Sequence, residues 1–218
     1  DIAGFARGLQ RAGYATDPAA PMGEAIYPED QTLVKAQRLI SYLALGHEID
    51  SSLTSGGSFN AVVRSGQLAA SFIEGTSDLP VNQSGSLLFG ASMSSEIGDS
   101  LKSNLGDRSV LVYVLKYRDA ATAKQAAADF KRANVIKDDP DSDVKSTEVT
   151  KTLAGLPDTL VTQRTTNYDD VSTSTYTPYG SYMVHVWVKA PKKETPWTED
   201  AVRKTLDVQK PLIDEFEK

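Results

Sequence analysis

The chain has 218 residues, of which 40% are hydrophobic and 24% are charged, and it contains no cysteine. Its net charge of −6 argues against nucleic acid and anionic membrane surfaces as partners, and its composition excludes collagen-like, coiled-coil and disulfide-stapled proteins. Thiolate metal ligands and a cysteine nucleophile are excluded as well. No apolar run approaches the roughly 18 residues that span a bilayer, and no signal peptide follows Asp1, so we predict no transmembrane segment.

The first part of the chain predicts an extended arm followed by a helix. Glycine and proline interrupt residues 1–28 so often that we assign them to an N-terminal arm, ahead of a single domain over residues 29–218. Residues 29–45 then carry a broad apolar stripe at helical spacing, with acids at the start and Gly46 placed as a left-handed cap. This pattern predicts a largely buried helix.

Residues 50–104 are rich in serine and glycine around short apolar runs. Within them, apolar side chains alternate at Leu87, Phe89, Ala91 and Met93, which predicts a strand. The remainder is compatible with short helices or with a long functional loop.

Residues 110–117 are apolar at nearly every position, as expected of a central strand that is covered on both faces. We therefore expect Tyr113 and Val114, which point to opposite faces, both to be buried. Asp119 is placed to cap a helix that runs to about residue 134, and a further strand after it would complete a β-α-β unit.

The C-terminal half predicts four strands and a last helix. The strands are expected at residues 145–153, 159–166, 171–177 and 181–189, with a tight turn at 178–180. Thr195 and Pro196 are typical of a helix start, and Pro211 should kink or break the helix that follows to residue 216. The fold class is α+β, a twisted and mostly antiparallel sheet with one β-α-β unit, covered by about three helices.

Motifs for catalysis and metal binding are incomplete. The two histidines, His47 and His185, stand in no zinc-binding pattern. Asp139, Asp141 and Asp143 have the first spacings of a calcium loop but lack its glycine and its closing glutamate. No serine lies in a nucleophile motif, and no glycine-rich phosphate loop is present. We therefore predict no metal, no cofactor and no enzymatic activity.

Aromatic side chains with polar groups concentrate near the C-terminus, and this pattern has two explanations. The residues are Tyr168, Tyr176, Tyr179, Tyr182 and Trp187. Tyrosine and tryptophan are common in antiparallel strands, and they also suit surfaces that bind glycans, amphiphiles or proteins. The candidate ligand-binding residues are Tyr179, Met183, His185 and Trp187.

Within the last predicted strand, Met183, His185 and Trp187 should point the same way, with valines on the other side facing the core. Either a helix covers Met183 and Trp187, or they line a site into which His185 projects a polar group. We expect the C-terminal helix to cover them, with a small groove left open beside the sheet near Pro211.

Four segments resemble a family of actinobacterial cell-envelope lipoproteins whose conserved domain has no assigned function. Residues 13–16 (GYAT) are similar to the family's Gly-Asn-Tyr-Pro-Thr opening, and residues 35–40 (KAQRLI) with 48–50 (EID) to its Glu-x-x-Arg-Met-Ala helix and trailing Glu-Val-Asp. Residues 178–187 (PYGSYMVHVW) resemble a Gly-Pro-Tyr-Val-Leu-Val-x-Trp strand. Residues 206–216 (LDVQKPLIDEF) are closest, matching Leu-Asp-x-Gln-x-Pro-Leu-Ile-Asp-x-Phe.

The resemblance implies an extracytoplasmic protein, anchored to the membrane by a lipidated cysteine ahead of Asp1. No catalytic residues carry over from this resemblance, because the family's domain has no assigned function. The leading hypothesis is a non-catalytic domain that binds an envelope lipid, glycan or protein. An envelope hydrolase and a structural spacer without a ligand are the alternatives.

Overall fold

The computed structural model describes residues 28–54, 58–63, 87–97, 107–133 and 143–218. The predicted arm, apart from Pro28, lies outside the described residues, and so do Asp139 and Asp141 of the incomplete calcium motif. None of the described helices is long and apolar enough to cross a membrane.

The described residues form a seven-stranded sheet with four helices and a short 3₁₀ turn. The strands are β1 (Ser58–Val63), β2 (Leu87–Glu96), β3 (Ser109–Tyr117), β4 (Ser146–Leu153), β5 (Leu156–Thr166), β6 (Asp170–Tyr179) and β7 (Tyr182–Pro191). The helices are α1 (Pro28–Ile40), α2 (Gly46–Ile49), α3 (Ala120–Ala133) and α4 (Thr195–Phe216), with the 3₁₀ turn at Lys192–Glu194.

The strand order is β1-β2-β3-β7-β6-β5-β4, and every neighbouring pair is antiparallel. Because directions alternate, β3 and β4 run the same way although three strands lie between them. Helix α3 connects these two strands, so the predicted β-α-β unit is a long crossover. The predicted α+β class, with its twisted and open sheet, is confirmed.

Strand β3 is an interior strand that is buried on both sides, as its sequence predicts. Val112 and Val114 point to one face and Tyr113 and Leu115 to the other, and all four are buried. The middle position of the sheet belongs to β7, with β3 beside it. We call the two sides the α4 face, which α1, α2 and α4 cover, and the α3 face, which α3 covers.

The C-terminal helix packs on the face opposite to the predicted one. Val202, Leu206 and Ile213 are buried in one cluster with the β7 valines, on the α4 face. Met183 and Trp187 point to the α3 face, so the predicted cover of these residues by the C-terminal helix is wrong. Strand periodicity determines which side chains share a face, whereas the path of the connections determines which helix covers it.

The helix boundaries differ from the sequence pattern in three details. The first helix ends at Ile40, and Gly46 begins the next helix instead of capping the first. Helix α4 continues through Pro211 without a break. Its N-cap is Glu194, which makes no side-chain cap hydrogen bond. The predicted cap of α3 is confirmed, because the Asp119 carboxylate accepts a hydrogen bond from the Thr122 amide at 2.8 Å.

Gly46 and Gly90 allow close contacts that a side chain would prevent. A Cβ at Gly46 would overlap the Ser95 hydroxyl and the Thr54 carbonyl, so α2 could not lie so close to the end of β2. A Cβ at Gly90 would lie 2.8 Å from the Val114 carbonyl oxygen on the neighbouring strand.

Val112→Ala is expected to lower the free energy of unfolding by about 1–3 kcal/mol, because it removes two methyl groups from a fully buried position. Leu111→Ala should cost less, since Leu111 is partly exposed on the α3 face. Urea denaturation followed by fluorescence measures both changes. A Val112→Ala protein with the wild-type midpoint would contradict the position of β3.

Candidate functional site

Three of the four predicted ligand-binding residues share the α3 face, and the fourth does not. Met183, His185 and Trp187 alternate along β7 and point to the α3 face. Tyr179 packs on the α4 face, where its hydroxyl donates to the Asp214 carboxylate at 2.8 and 2.9 Å from the two oxygens. The structure therefore does not bring Tyr179 together with the other three.

The five aromatic residues of the C-terminal half are also divided. Tyr176 and Trp187 lie on the α3 face, and Tyr179 and Tyr182 on the α4 face. Tyr168 is in the turn between β5 and β6 with 62% of its surface exposed. These residues consequently form no single aromatic surface.

His185 is a packed residue on the α3 face. Its imidazole is stacked between Tyr176 and Tyr113, with ring centroids 4.3 and 5.8 Å away. Its Nδ1 lies 3.0 Å from the Thr175 carbonyl oxygen, to which it donates. Burial lowers the pKa of His185 to about 4, against a small opposing effect of this hydrogen bond. The side chain is therefore neutral at pH 7 and is 5% exposed, which keeps it from contact with a ligand.

Helix α3 covers only part of its face. The covered part contains a cross-strand row of neighbouring side chains: Ser92, Tyr113, His185 and Tyr176. In the next two rows, toward the start of β3, every side chain is partly or fully exposed. We call these two rows the open half-face.

The first row of the open half-face consists mainly of hydroxyl groups around one indole ring. Direct cross-strand pairing aligns its members from β4 to β2: Thr150, Thr162, Ser174, Trp187, Leu111 and Ser94. Trp187 is half-buried, so part of its surface remains accessible. The row thus presents an aromatic surface with hydrogen-bonding groups on both sides.

The second row combines charged side chains with serines. Its members, again from β4 to β2, are Glu148, Arg164, Ser172, Lys189, Ser109 and Glu96. The Lys189 ammonium pairs with Asp170 at 3.1 Å. The Arg164 guanidinium has no ion pair or hydrogen bond to any residue in the described ranges, and its Nε is shielded from solvent without a partner. Two cations and two carboxylates give the row no net charge.

The second row ends at a concavity of about 320 Å³ at the edge of the open half-face. Its lining residues are Glu96, Ile97, Asp107, Arg108, Ser109 and Lys189. The volume is near the lower limit of small-molecule sites, about 300 Å³. Because the lining is mostly charged or polar, the concavity suits a polar group better than an acyl chain.

Arg108 is held in the wall of the concavity by a network that joins three elements. Its Nε donates to Glu194 at 2.6 Å, its Nη1 lies 3.4 Å from Asp50, and its guanidinium carbon is 4.7 Å from the Trp197 ring centroid. Partial burial by itself raises the pKa of Asp50. Hydrogen bonds from Ser52 and Trp197, together with the charge of Arg108, lower this pKa by more, so the net shift is downward. Asp50 is therefore ionised at neutral pH, and the network fixes Arg108 in place.

The open half-face presents hydrogen-bonding and charged side chains around one indole ring. No three histidine, aspartate or glutamate side chains of the described ranges lie close enough together to hold a metal ion. Among the described residues, no serine hydrogen-bonds to the buried imidazole of His185, whose hydrogen bond is the one to the Thr175 carbonyl. The open half-face offers hydrogen-bond donors, acceptors and an aromatic surface to a polar ligand.

Arg164, Lys189 and the rows of hydroxyls were not among the residues predicted from the sequence. The signal was the alternation of polar residues in β4, β5 and β6, such as Thr162 with Arg164 and Ser172 with Ser174. In one strand, such alternation indicates only a solvated face. The rows become visible once the register of all six strands is known.

The sequence matches the model of one protein family, and the fold is similar to that of a solved structure. The model for the domain of unknown function DUF7373, N-terminal part, matches residues 22–218. The chain belongs to the DUF7373 family. No curated protein sequence matches it. Among solved structures, the extracellular domain of PknH from Mycobacterium tuberculosis is similar to this DUF7373 chain, with a TM-score of 0.55 and 15% identity over 82% of this chain and 96% of that chain. At this identity the similarity concerns the fold.

In this DUF7373 chain, residues 206–216, the segment that most closely resembles the lipoprotein family, have structural roles. The buried side chain of Gln209 donates through Nε2 to the Tyr42 carbonyl at 2.7 Å and accepts through Oε1 from the Ala44 amide at 2.9 Å. Asp214 accepts from Tyr179, as described above. Through these hydrogen bonds the segment holds α4 against the turn after α1 and against β6. It lies on the α4 face, opposite to the open half-face.

Proposed function

We propose that this chain is an extracytoplasmic, non-catalytic binding domain of an envelope lipoprotein and that it binds a polar envelope component through the open half-face. The observation that carries this proposal is that α3 leaves two rows of the sheet exposed, with Trp187 among hydroxyl and charged groups. Exposed aromatic surface within a polar surround is typical of binding sites, because leaving it in water costs free energy without a compensating contact.

Two observations favour a polar ligand over a lipid. The clustered apolar side chains of the sheet are covered, by α1, α2 and α4 on one side and by α3 on the other, and the exposed exceptions, Val149 and Leu160, are isolated residues of the outer strands β4 and β5. The concavity beside the open half-face is lined by charged groups such as Arg108 and Lys189. An acyl chain would have to displace water from these groups without replacing their hydrogen bonds.

The extracytoplasmic address is supported by two similarities. The fold is similar to that of an extracellular domain from Mycobacterium tuberculosis, and four segments resemble actinobacterial envelope lipoproteins. The anchor would be a lipidated cysteine ahead of Asp1. Growing cells that express the full gene with a clickable fatty acid tests this anchor, because a lipidated protein carries the label into the membrane fraction. A protein that carries no label would contradict the anchor.

Trp187→Ala is expected to weaken binding to delipidated cell wall by about tenfold or more, because truncation of a central aromatic contact typically costs at least about 1–2 kcal/mol. The wild-type chain is sedimented with increasing amounts of wall material, and the bound fraction gives the apparent affinity. Tyr168→Ala is the matched control, since Tyr168 is an exposed aromatic residue outside the two rows. It should bind as the wild type does.

Four outcomes separate the proposal from its alternatives. Saturable binding that Trp187→Ala weakens, measured at a temperature where the variant is still folded, supports the proposal. Absence of saturable binding to wall would favour a spacer domain. Binding to phosphatidylglycerol vesicles, without binding to wall, would favour a lipid ligand. Release of soluble fragments from the wall by the purified chain would favour a hydrolase.

A further inference from the structure

We infer that the ligand of the open half-face is an extended, uncharged glycan that lies across the strands along the two exposed rows. This inference rests on the proposed function, because it names the class of ligand for the same surface. It follows from the residue types in each row, from the balance of their charges and from the length of the rows.

The first row matches the chemistry of a sugar ring. A sugar has C–H groups on its flat faces and hydroxyls along its edges, so an aromatic ring can stack on the face while polar groups bond the edges. Trp187 supplies the ring, and Ser174 and Thr162 follow it toward β4. A protein partner would require a larger apolar centre with several anchors, whereas the two rows contain only Trp187 and Leu111 as apolar residues.

The second row favours a ligand without net charge. The row itself carries two cations, Arg164 and Lys189, and two carboxylates, Glu148 and Glu96, one at each end. Asp170 beside the row adds a third carboxylate, which pairs with Lys189. The two carboxylates would repel a polyanion, and the two cations would repel a polycation. Neither kind of ligand therefore gains electrostatic attraction along the whole row. A hydroxyl both donates and accepts, and it can therefore bond to every member of the row.

Arg164 is the strongest single donor that the described residues leave unused on this surface. Its guanidinium has no hydrogen bond or ion pair to the described residues, and its Nε is shielded from solvent. A planar group with several N–H donors can bond two neighbouring hydroxyls of one sugar. We assign it a direct contact with the glycan.

The rows are long enough for several sugar units. They cross six strands, and neighbouring strands lie about 4.8 Å apart, which gives a length of about 24 Å. A monosaccharide would contact only part of this length. Affinity should therefore rise with the number of units until the rows are filled.

The test begins with delipidated actinobacterial cell wall, bound by the full chain and divided into three samples. One is untreated, one is digested with proteinase K, and one is oxidised with periodate, which cleaves the vicinal diols of sugars. Binding is expected to survive the protease and to be lost after periodate. Neutral wall fragments that pass an anion exchanger should compete for binding, longer fragments better than shorter ones, whereas the retained anionic fragments should not.

Arg164→Gln should weaken binding to untreated wall several-fold. Arg118→Gln is the matched control, since Arg118 is exposed beside α3 and outside the two rows, and it should bind as the wild type does. Raising salt from 0.05 to 0.5 M should change the wild-type affinity by less than about threefold, because an uncharged ligand releases no counterions.

If the protease abolishes binding and periodate does not, the ligand is a protein. This result would overturn the glycan inference, while the proposed function would still stand. Competition by the anionic fragments alone, with a steep loss of affinity in salt, would overturn the statement that the ligand is uncharged. A failure of untreated wall to bind would overturn the proposed function and this inference with it.

Discussion

Gln209→Leu is expected to lower the free energy of unfolding by about 2–6 kcal/mol, because it leaves two buried backbone groups unpaired at about 1–3 kcal/mol each. The groups are the Tyr42 carbonyl and the Ala44 amide, which the Gln209 amide bonds at 2.7 and 2.9 Å. Leucine has a similar volume, so the change isolates the hydrogen bonds from packing. Thermal or urea unfolding measures the loss.

Two further variants sharpen this test. Gln125→Leu is the control in α3, where the glutamine is exposed, and it should change stability by less than about 0.5 kcal/mol. Gln209→Glu keeps the acceptor for the Ala44 amide but cannot donate to the Tyr42 carbonyl at neutral pH, so it should also destabilise. If Gln209→Leu unfolds at the wild-type midpoint, these two hydrogen bonds do not hold α4 to the turn after α1.

His185 is expected to make the protein less stable as the pH falls from 7.5 to 4, by about 3 kcal/mol. Burial lowers its pKa to about 4 in the folded chain, whereas an unfolded histidine titrates near 6.5. Between these values the unfolded state binds a proton that the folded state does not, so stability decreases as the pH falls. The loss starts near pH 6.5 and is complete below about pH 4.

The contribution of His185 is separated from that of other groups by difference. His185→Phe keeps a ring between Tyr113 and Tyr176 but cannot titrate, so its stability should fall by about 3 kcal/mol less over the same range. His47→Phe is the matched control at an exposed histidine and should keep the wild-type pH dependence. Parallel stability curves for the wild type and His185→Phe would show that His185 is not buried as described.

The sequence alone was sufficient for those features that depend on local periodicity. The double-sided apolar run at residues 110–117 predicted a covered interior strand, and Tyr113 and Val114 are both buried. Thr195 and Pro196 marked the start of α4 to within one residue, and the helix ends at Phe216 as its stripe of apolar residues predicts. Such patterns survive folding because the geometry of a strand or a helix alone determines which side chains share a face.

The tertiary structure decided which face of the sheet the C-terminal helix covers. It also decided on which face Tyr179 lies. The prediction that this helix covers Met183 and Trp187 is wrong because α3, coming through the long crossover from β3 to β4, occupies that face. Tyr179 was grouped with these residues although it lies on the other side of the sheet. Connections between distant strands leave no periodic trace in the sequence.

The open half-face illustrates the same division between sequence and structure. The sequence determined that β4, β5 and β6 each have a polar side and that Trp187 shares a side with His185. Glu148, Arg164 and Lys189 lie in one row only because six strands from separate parts of the chain pair with one another. That row is exposed because α3 does not extend over it. Strand register and helix coverage arise from contacts between residues far apart in the chain, and these contacts form only when the whole core packs.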